Sequence, residues 1–256
     1  MFIDELSLTY PDQSLVTNTT RSLLAHGYTV DYIAPSPSAV DTFRQLPSQG
    51  HDLIIIRAHT ASHQAIITTE QYDPNAYAAD QISHRLVPAQ VSDGPEYFAL
   101  TPQFVRQDMN GMFMGSTIVV TGCSALEGTS DMAQAFLDKG AQFFVGWDNS
   151  VTIIHDDNQI GVLISSIAEG KNVPQAVSQA AVPDPVYNGR LRFLDWNSLV
   201  QVRWTNFVSA AVLWLGIGSV LIAGPFTVFV APRLLAKLEE MNDARWRRRA
   251  VHTENQ

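Results

Sequence analysis

Short apolar segments alternate with helical patterns through the first part of the chain, and this alternation restricts the fold more than any other feature. Three segments have the pattern of strands and the two between them have the spacing of helices: residues 2–4, 15–26, 28–33, 38–46 and 53–56, in chain order. The run at 53–56 is wholly apolar, as in a strand buried on both faces. A β-α-β-α-β order is typical of a parallel sheet covered by helices. The sequence therefore predicts a three-layer α/β/α domain with a mainly parallel sheet.

The same pattern returns around the only cysteine of the chain. Residues 117–121 form a β-branched run that ends just before Cys123, residues 131–139 have helical spacing, and residues 143–146 form another apolar strand. We expect the 117–121 strand to lie beside the 53–56 strand, and we place the limits of the domain at residues 1–200.

The remaining segments of this domain have weaker patterns. Residues 66–68 and 97–100 could pair as a small antiparallel ribbon. Further short elements are expected, namely helices at 102–109, 160–169 and 174–180 and a strand at 191–194. The polar residues 155–158 could offer oxygen ligands to calcium but lack the spacing of a known binding loop, so we interpret them as a turn before the 160–169 helix.

Two residues with catalytic chemistry follow the two most apolar strands. His59 comes after the 53–56 strand, and Cys123 comes after the 117–121 strand. Neighbouring strands lie about 4.8 Å apart, so the loops at their carboxyl ends can bring an imidazole and a thiol together. His59 and Cys123 are therefore a candidate base and nucleophile. The alternative is that Cys123 is a small buried hydrophobic residue, as free cysteine often is.

The order of these features resembles the caspase-like (clan CD) cysteine peptidases, nearest to their gingipain and CHAT/separase branches. A strand ending in histidine precedes a strand ending in cysteine, which is followed by a helix, a glycine–alanine step, a strand ending in Trp-Asp and two last helices. The segments that carry the resemblance are 54–59, 118–124, 135–141, 144–148 and 168–181. The chain is also similar to uncharacterised membrane-anchored prokaryotic proteins of this kind.

The resemblance implies roles for further residues. In the clan, the backbone N–H after the histidine and the N–H of the cysteine form the oxyanion hole, which assigns these donors to Thr60 and Cys123. The clan usually has glycine where this chain has Thr60, so an inactive relative is a second possibility. Pocket positions of the family correspond to Asp4, Glu5 and Asp148, whose carboxylates would suit an arginine or lysine side chain.

Composition excludes some partners. The net charge of −9 and the isoelectric point near 5.1 argue against nucleic-acid binding, which requires a basic face. A single cysteine excludes an internal disulfide, and His59 with His63 lacks a third metal ligand. We therefore predict neither a metal nor a cofactor.

The C-terminal part of the chain has a different character. Residues 207–231 contain no charged side chain and are long enough to cross a bilayer as one helix, which would contact membrane lipid. The alternative is a buried helix of a soluble protein. Residues 232–256 form a basic tail, which by the positive-inside rule is cytoplasmic and leaves the large domain outside. No signal peptide precedes that domain, so either the reading frame is truncated or the orientation is reversed.

These features predict a single-pass, membrane-anchored cysteine endopeptidase that acts on a peptide or protein substrate, with cleavage after a basic residue. The alternative is a catalytically inactive caspase-like domain that binds a partner at the membrane. The oligomeric state is not indicated by the sequence.

Overall fold

The computed structural model describes residues 1–61, 65–128 and 130–198, which belong to one compact unit. The strands are β1 (Phe2–Asp4), β2 (Tyr32–Ile33), β3 (Leu53–Arg57), β4 (Thr60–Ala61), β5 (Ala65–Gln71), β6 (Leu86–Gln90), β7 (Glu96–Leu100), β8 (Thr117–Val120), β9 (Phe143–Trp147) and β10 (Leu191–Asp195). The helices are α1 (Gln13–Ala25), α2 (Ala39–Gln45), α3 (Ala78–Ile82), α4 (Pro102–Gln107), α5 (Asp131–Asp138), α6 (Ile153–Ala168) and α7 (Val173–Ala180), and a short 3-10 helix spans Leu46–Gln49.

Side-chain caps set where several helices begin. Asp12 accepts the Leu15 N–H at the start of α1, and Ser130 accepts the Ala133 N–H at the start of α5. Asn172 and Gln175 form a reciprocal capping box at the start of α7. Each cap satisfies backbone donors that have no partner within the helix, so these polar residues define the position at which the helix begins.

The larger sheet has the strand order β10-β9-β8-β3-β1-β2. All its neighbours pair in parallel except β10, which runs antiparallel to β9. The predicted mixed α/β class with a mainly parallel sheet is confirmed, and so is the position of β8 beside β3. The carboxyl ends of β1, β3, β8 and β9 therefore meet at one edge, where open parallel sheets place their sites.

The smaller sheet is antiparallel, with the order β4-β5-β7-β6. It contains the predicted ribbon, since β5 pairs with β7. The strands β4 and β6 extend that ribbon and were not predicted, because β4 has two residues and β6 contains Pro88, which weakens a strand pattern. The sheet connects directly to the end of β3, so it borders the edge described above.

Helices cover both faces of the larger sheet and create two cores. Alternate residues of β3 point to opposite faces, with Ile54 and Ile56 in the first core and Leu53 and Ile55 in the second. Helices α2, α4 and α5 contribute to the first core, and helices α1, α6 and α7 contribute to the second. We call the face of the sheet that carries the second core the α1/α6 face.

Two boundaries differ from the prediction. Strand β2 is shorter than the predicted strand at 28–33, since only Tyr32–Ile33 pairs with β1. Helix α6 begins at Ile153 rather than at 160, so the interpretation of residues 155–158 as a turn was wrong. Asp156 and Asp157 have hydrogen-bond partners on β9 and β3, which local sequence cannot indicate.

The predicted membrane helix at 207–231 and the tail at 232–256 lie outside the described residues. Within the described part of the chain, no helix is both long enough and apolar enough to cross a membrane.

Candidate active site

The register of β3 and β8 leads His59 and Cys123 to neighbouring positions. Ile56 lies opposite Val120, and the Thr121 N–H continues the ladder by donating to the Ile56 carbonyl at 2.9 Å. Three further residues along each segment lead to His59 and Cys123. The segments that carry the two residues therefore lie side by side at the carboxyl edge of the sheet.

His59 and Cys123 also share one face of the sheet. The Cys123 side chain packs against the second core. The His59 ring meets the Tyr10 ring edge-on with centroids 5.7 Å apart, and the Tyr10 carbonyl accepts a hydrogen bond from Arg57 at 2.9 Å. Because Arg57 pairs with Asp157 of α6, His59 lies on the α1/α6 face together with Cys123.

His59 has the electrostatic properties of a general base. Its Nε2 atom is buried and has no hydrogen-bond partner among the residues that the structure describes. Burial, and secondly the charge of Arg57, lower the pKa of His59 from its ordinary value of 6.5. The imidazole is therefore neutral at pH 7, the form that accepts a proton.

The Cys123 thiol is directed to a backbone carbonyl rather than to the imidazole. Its Sγ donates to the Val151 carbonyl oxygen at 3.5 Å, and the residue is half-buried. The thiol must leave this carbonyl before it can meet His59. Catalytic hydrogen bonds often tighten only when substrate binds, and the His59–Cys123 dyad stays a prediction.

The turn that carries Cys123 is tied to the loop after β9. The Ser124 N–H donates to the Asn149 carbonyl at 3.0 Å, and the Leu126 N–H donates to the Trp147 carbonyl at 2.9 Å. Ser124 has a φ of 55°, a left-handed conformation that is uncommon for residues other than glycine. This sharp turn and its two bonds hold the cysteine segment against the end of β9.

Thr60 connects the histidine segment to the cysteine segment. Its hydroxyl donates to the Cys123 carbonyl oxygen. Thr60 pairs with Ile66, whereas the His59 carbonyl accepts the Ile67 N–H at 2.9 Å. Bonded and non-bonded pairs alternate in antiparallel ladders, so the Thr60 N–H points away from β5. The backbone donor thus stays available for the predicted oxyanion hole, although its contact with an oxyanion remains a prediction.

Position 122 has no room for a side chain. A Cβ atom on Gly122 would collide with Thr60 Cγ2 and would lie 2.8 Å from the Ala58 carbonyl oxygen. We expect Gly122→Ala to lower the free energy of unfolding by about 1–3 kcal/mol, the usual cost of overpacking. Urea unfolding of the full-length chain measures the change.

Gly161 on α6 provides the matched control for this substitution. A Cβ atom there meets nothing within 4 Å. We expect Gly161→Ala to raise the free energy of unfolding by about 0.5–1 kcal/mol, because alanine loses less backbone entropy than glycine in a helix. Equal stability of the Gly122→Ala variant and the wild type would contradict the close packing of Thr60 on this glycine.

Two of the three acidic residues assigned to the substrate pocket are buried and bonded within the chain. The Asp4 carboxylate accepts a hydrogen bond from Arg57 Nη1 at 2.9 Å. The Glu5 carboxylate accepts the Thr69 N–H at 2.6 Å and also the Thr69 hydroxyl, and burial raises the pKa of Glu5. Any basic group of a substrate would have to displace these partners. In the structure, Asp4 and Glu5 connect segments of the chain to one another.

The third acidic residue, Asp148, is more accessible. Its side chain is 29% exposed and accepts a hydrogen bond from Arg192 Nε at 2.9 Å, while Arg192 itself is 60% exposed. It also accepts the Arg190 N–H at 2.8 Å. An exposed ion pair is weak, with a typical value of about 0–1 kcal/mol, so a competing guanidinium could replace Arg192.

A buried ion cluster beneath the site was not found in the sequence. Arg57 is 1% exposed and donates from Nε and Nη2 to both carboxylate oxygens of Asp157 at 2.7 Å, as well as to Asp4. Burial opposes the charge of Arg57, but the two carboxylates raise its pKa, so it stays charged. A single charged residue that directly follows the apolar run 53–56 was the available signal.

Asp156 is a second buried acid that the sequence did not reveal. Its carboxyl oxygen accepts the Trp147 Nε1–H at 2.6 Å and connects α6 to β9. Burial raises the pKa of Asp156 well above its usual range. With Asp157 engaged by Arg57, these two residues serve the packing of α6 rather than a calcium site. The described residues contain no cluster of three or more histidine, cysteine or acidic side chains suited to a metal, and His63 lies outside them.

No protein-family model matches the chain, and no curated protein sequence matches it. The caspase-like resemblance therefore stays a prediction that depends on the quoted segments and on the geometry of His59 and Cys123.

Proposed function

We propose that this protein is a caspase-like cysteine endopeptidase with Cys123 as the nucleophile and His59 as the general base. The observation that carries the proposal is the parallel pairing of β3 with β8, whose register directs both residues to one edge and one face of the sheet. The buried Nε2 of His59, which has no partner within the described ranges, adds support because a general base needs an unoccupied nitrogen.

In the proposed mechanism, the thiol first rotates from the Val151 carbonyl to His59, which accepts its proton. The Cys123 thiolate then attacks the peptide carbonyl carbon, and the oxyanion forms near the N–H groups of Thr60 and Cys123. Collapse of this intermediate expels the amine, which takes the proton from His59, and leaves a thioester. A water molecule, deprotonated by His59, hydrolyses the thioester and releases the acid and the free thiol.

Asp148 supports a preference for a basic residue before the cleaved bond. Among the three assigned acids it is the accessible one, and its present partner is the exposed guanidinium of Arg192. An arginine of the substrate would replace one guanidinium by another, so the exchange requires no new buried charge.

We further propose that residues 207–231 anchor the protein in a membrane as a single helix. The support is the sequence alone, an uncharged segment of sufficient length followed by a basic tail. By the positive-inside rule, the basic tail favours a cytoplasmic position for residues 232–256 and an extracytoplasmic position for the domain.

The second candidate function is an inactive caspase-like domain that binds a partner. The observation that favours it is the bond from the Cys123 thiol to the Val151 carbonyl, which leaves the thiol engaged away from the imidazole. The two functions differ in whether the thiol can be activated by His59.

Covalent labelling separates the two functions. A peptide acyloxymethyl ketone that carries arginine next to the reactive group should label the full-length wild type, with the carboxylate as the leaving group and a thioether at Cys123 as the product. We expect no labelling of Cys123→Ala and roughly 100-fold slower labelling of His59→Ala, the lower end of general-base contributions. Intact-mass analysis measures the adduct.

Asp148→Asn is the control for the basic preference. It should slow labelling by the arginine reagent and leave labelling by an otherwise identical alanine reagent unchanged. If the wild type is labelled no faster than Cys123→Ala, the peptidase proposal fails and the binding domain remains. If Asp148→Asn slows both reagents equally, the proposed pocket is wrong.

A further inference from the structure

Asp184 is a buried carboxylate that holds two segments together near the cysteine. It is 2% exposed, and its Oδ2 accepts both the N–H and the hydroxyl of Thr152, at 2.9 and 2.7 Å. Its Oδ1 accepts the N–H groups of Val186 and Tyr187 at 2.9 and 2.7 Å. Four donors on one carboxylate keep it ionised, and although burial opposes the charge, these bonds lower the pKa of Asp184.

The segment that Asp184 belongs to lies tightly along the loop after β9. The Asn149 side-chain amide donates to the Tyr187 carbonyl at 3.1 Å. A Cβ atom on Gly189 would collide with the Ser150 carbonyl and would lie 3.2 Å from the Asn149 carbonyl, so only glycine permits this approach. The loop that faces Cys123 is thus supported from behind by the 184–189 turn.

Thr152 transmits this support to the thiol. It directly follows Val151, whose carbonyl oxygen accepts the Cys123 Sγ–H at 3.5 Å. Because the peptide between Val151 and Thr152 is planar, a bond that fixes the Thr152 N–H also fixes the direction of the Val151 carbonyl. The Asp184–Thr152 pair therefore determines where the acceptor of the thiol lies.

We propose that Asp184 is a positioning residue for Cys123, which acts through Thr152 to hold the thiol on the Val151 carbonyl and away from His59. The inference rests on the proposed function, since it concerns the reactivity of the proposed nucleophile. Release of the Val151 carbonyl frees the thiol to pass its proton to the imidazole. The described geometry is then the resting form of the site, and movement of the 149–152 loop is the step that activates it.

Alkylation of the thiol by iodoacetamide tests this role directly, because the chain contains one cysteine and the reagent needs no peptide-binding site. At pH 7 we expect Asp184→Asn to raise the alkylation rate constant by roughly tenfold, since one amide oxygen cannot accept both the two Thr152 donors and the N–H groups of Val186 and Tyr187, and the connection between the two segments loses half of its bonds. Thr152→Val, which removes only the hydroxyl donor, should raise it by about threefold. Thr152→Ser, which keeps that donor, should restore the wild-type rate.

Two comparisons separate positioning from general loosening. Asp93→Asn, which removes an equal charge at an exposed loop position, should react like the wild type. In a His59→Ala background the increases should disappear, because the freed thiol has no imidazole to accept its proton. The proposal is wrong if the alkylation rate constant rises equally with and without His59. It is also wrong if neither Asp184→Asn nor Thr152→Val raises that rate constant. If Asp184→Asn lowers the unfolding midpoint, the comparison of Thr152→Val with Thr152→Ser tests the positioning role instead.

The outcome also differs from a failure of the proposed function. Loss of peptide-ketone labelling together with the expected alkylation pattern would reject the peptidase and retain the positioning role of Asp184. Normal labelling together with unchanged alkylation in both variants would retain the peptidase and reject that role.

Discussion

Arg57→Met should lower the free energy of unfolding by about 3–5 kcal/mol, the usual cost of leaving buried charges without their partner. Arg57 and Asp4 are each 1% exposed, and Asp157 is 10% exposed, so water cannot replace the lost guanidinium. The substitution keeps an unbranched side chain but removes the guanidinium, with its bonds to both carboxylates and to the Tyr10 carbonyl. Urea unfolding of the full-length chain, followed by tryptophan fluorescence, measures the loss.

Two further variants show which property of Arg57 stabilises the fold. Arg57→Lys keeps the charge but cannot bind both oxygens of Asp157 with a planar fork, so its loss should be intermediate. Arg21→Met removes an exposed arginine on α1, where substitutions usually change stability by less than about 0.5 kcal/mol. If the Arg57→Met and Arg21→Met variants unfold at the same urea concentration, the buried ion cluster does not stabilise the fold.

His59→Ala should reduce kcat/KM for a peptide substrate by about 10²–10⁴-fold, the range of general-base catalysis. The pH dependence gives a sharper test. Burial and the Arg57 charge lower the pKa of His59, so the neutral, active form persists to a lower pH than in an ordinary histidine. We expect kcat/KM to rise with pH through a midpoint below 6.5, the ordinary value, and then to level off.

His26→Ala is the matched control for this prediction. His26 is an exposed histidine at the end of α1, at the opposite edge of the sheet from Cys123. Its replacement should leave both kcat/KM and the acidic limb of the pH profile unchanged. A midpoint above 6.5 in the wild type, or an acidic limb that survives in the His59→Ala variant, would contradict the role of His59 as the base.

Several parts of the fold follow from local sequence pattern. The apolar run before His59 and the β-branched run before Cys123 have the predicted strand boundaries within one residue, and these strands pair in parallel. Parallel neighbours must end at the same edge of a sheet, so the proximity of the two segments could be argued from order alone. The ribbon formed by β5 and β7 was predictable for the same reason, because two short apolar segments flanked a polar loop.

The start of α6 shows why other parts were missed. Residues 155–158 are polar and resemble a turn, yet Asp156 and Asp157 lie within the helix and are buried. Their partners, Trp147 and Arg57, come from β9 and β3. Local propensity treats the burial of a carboxylate as unfavourable. Only a partner from a distant strand makes the free energy of that burial favourable.

The sequence by itself determined the succession of strands and helices and the edge of the sheet at which the segments with His59 and Cys123 lie, because strand and helix periodicity and the geometry of parallel pairing are local or topological properties. The tertiary structure alone decided the partners of the polar side chains. Arg57 and Asp157 are 100 residues apart and Thr152 and Asp184 are 32 apart, so their bonds exist only after the chain has folded. The Cys123 thiol and the Val151 carbonyl oxygen that accepts its hydrogen bond are 28 residues apart, so the pattern of the strands could not indicate this contact either.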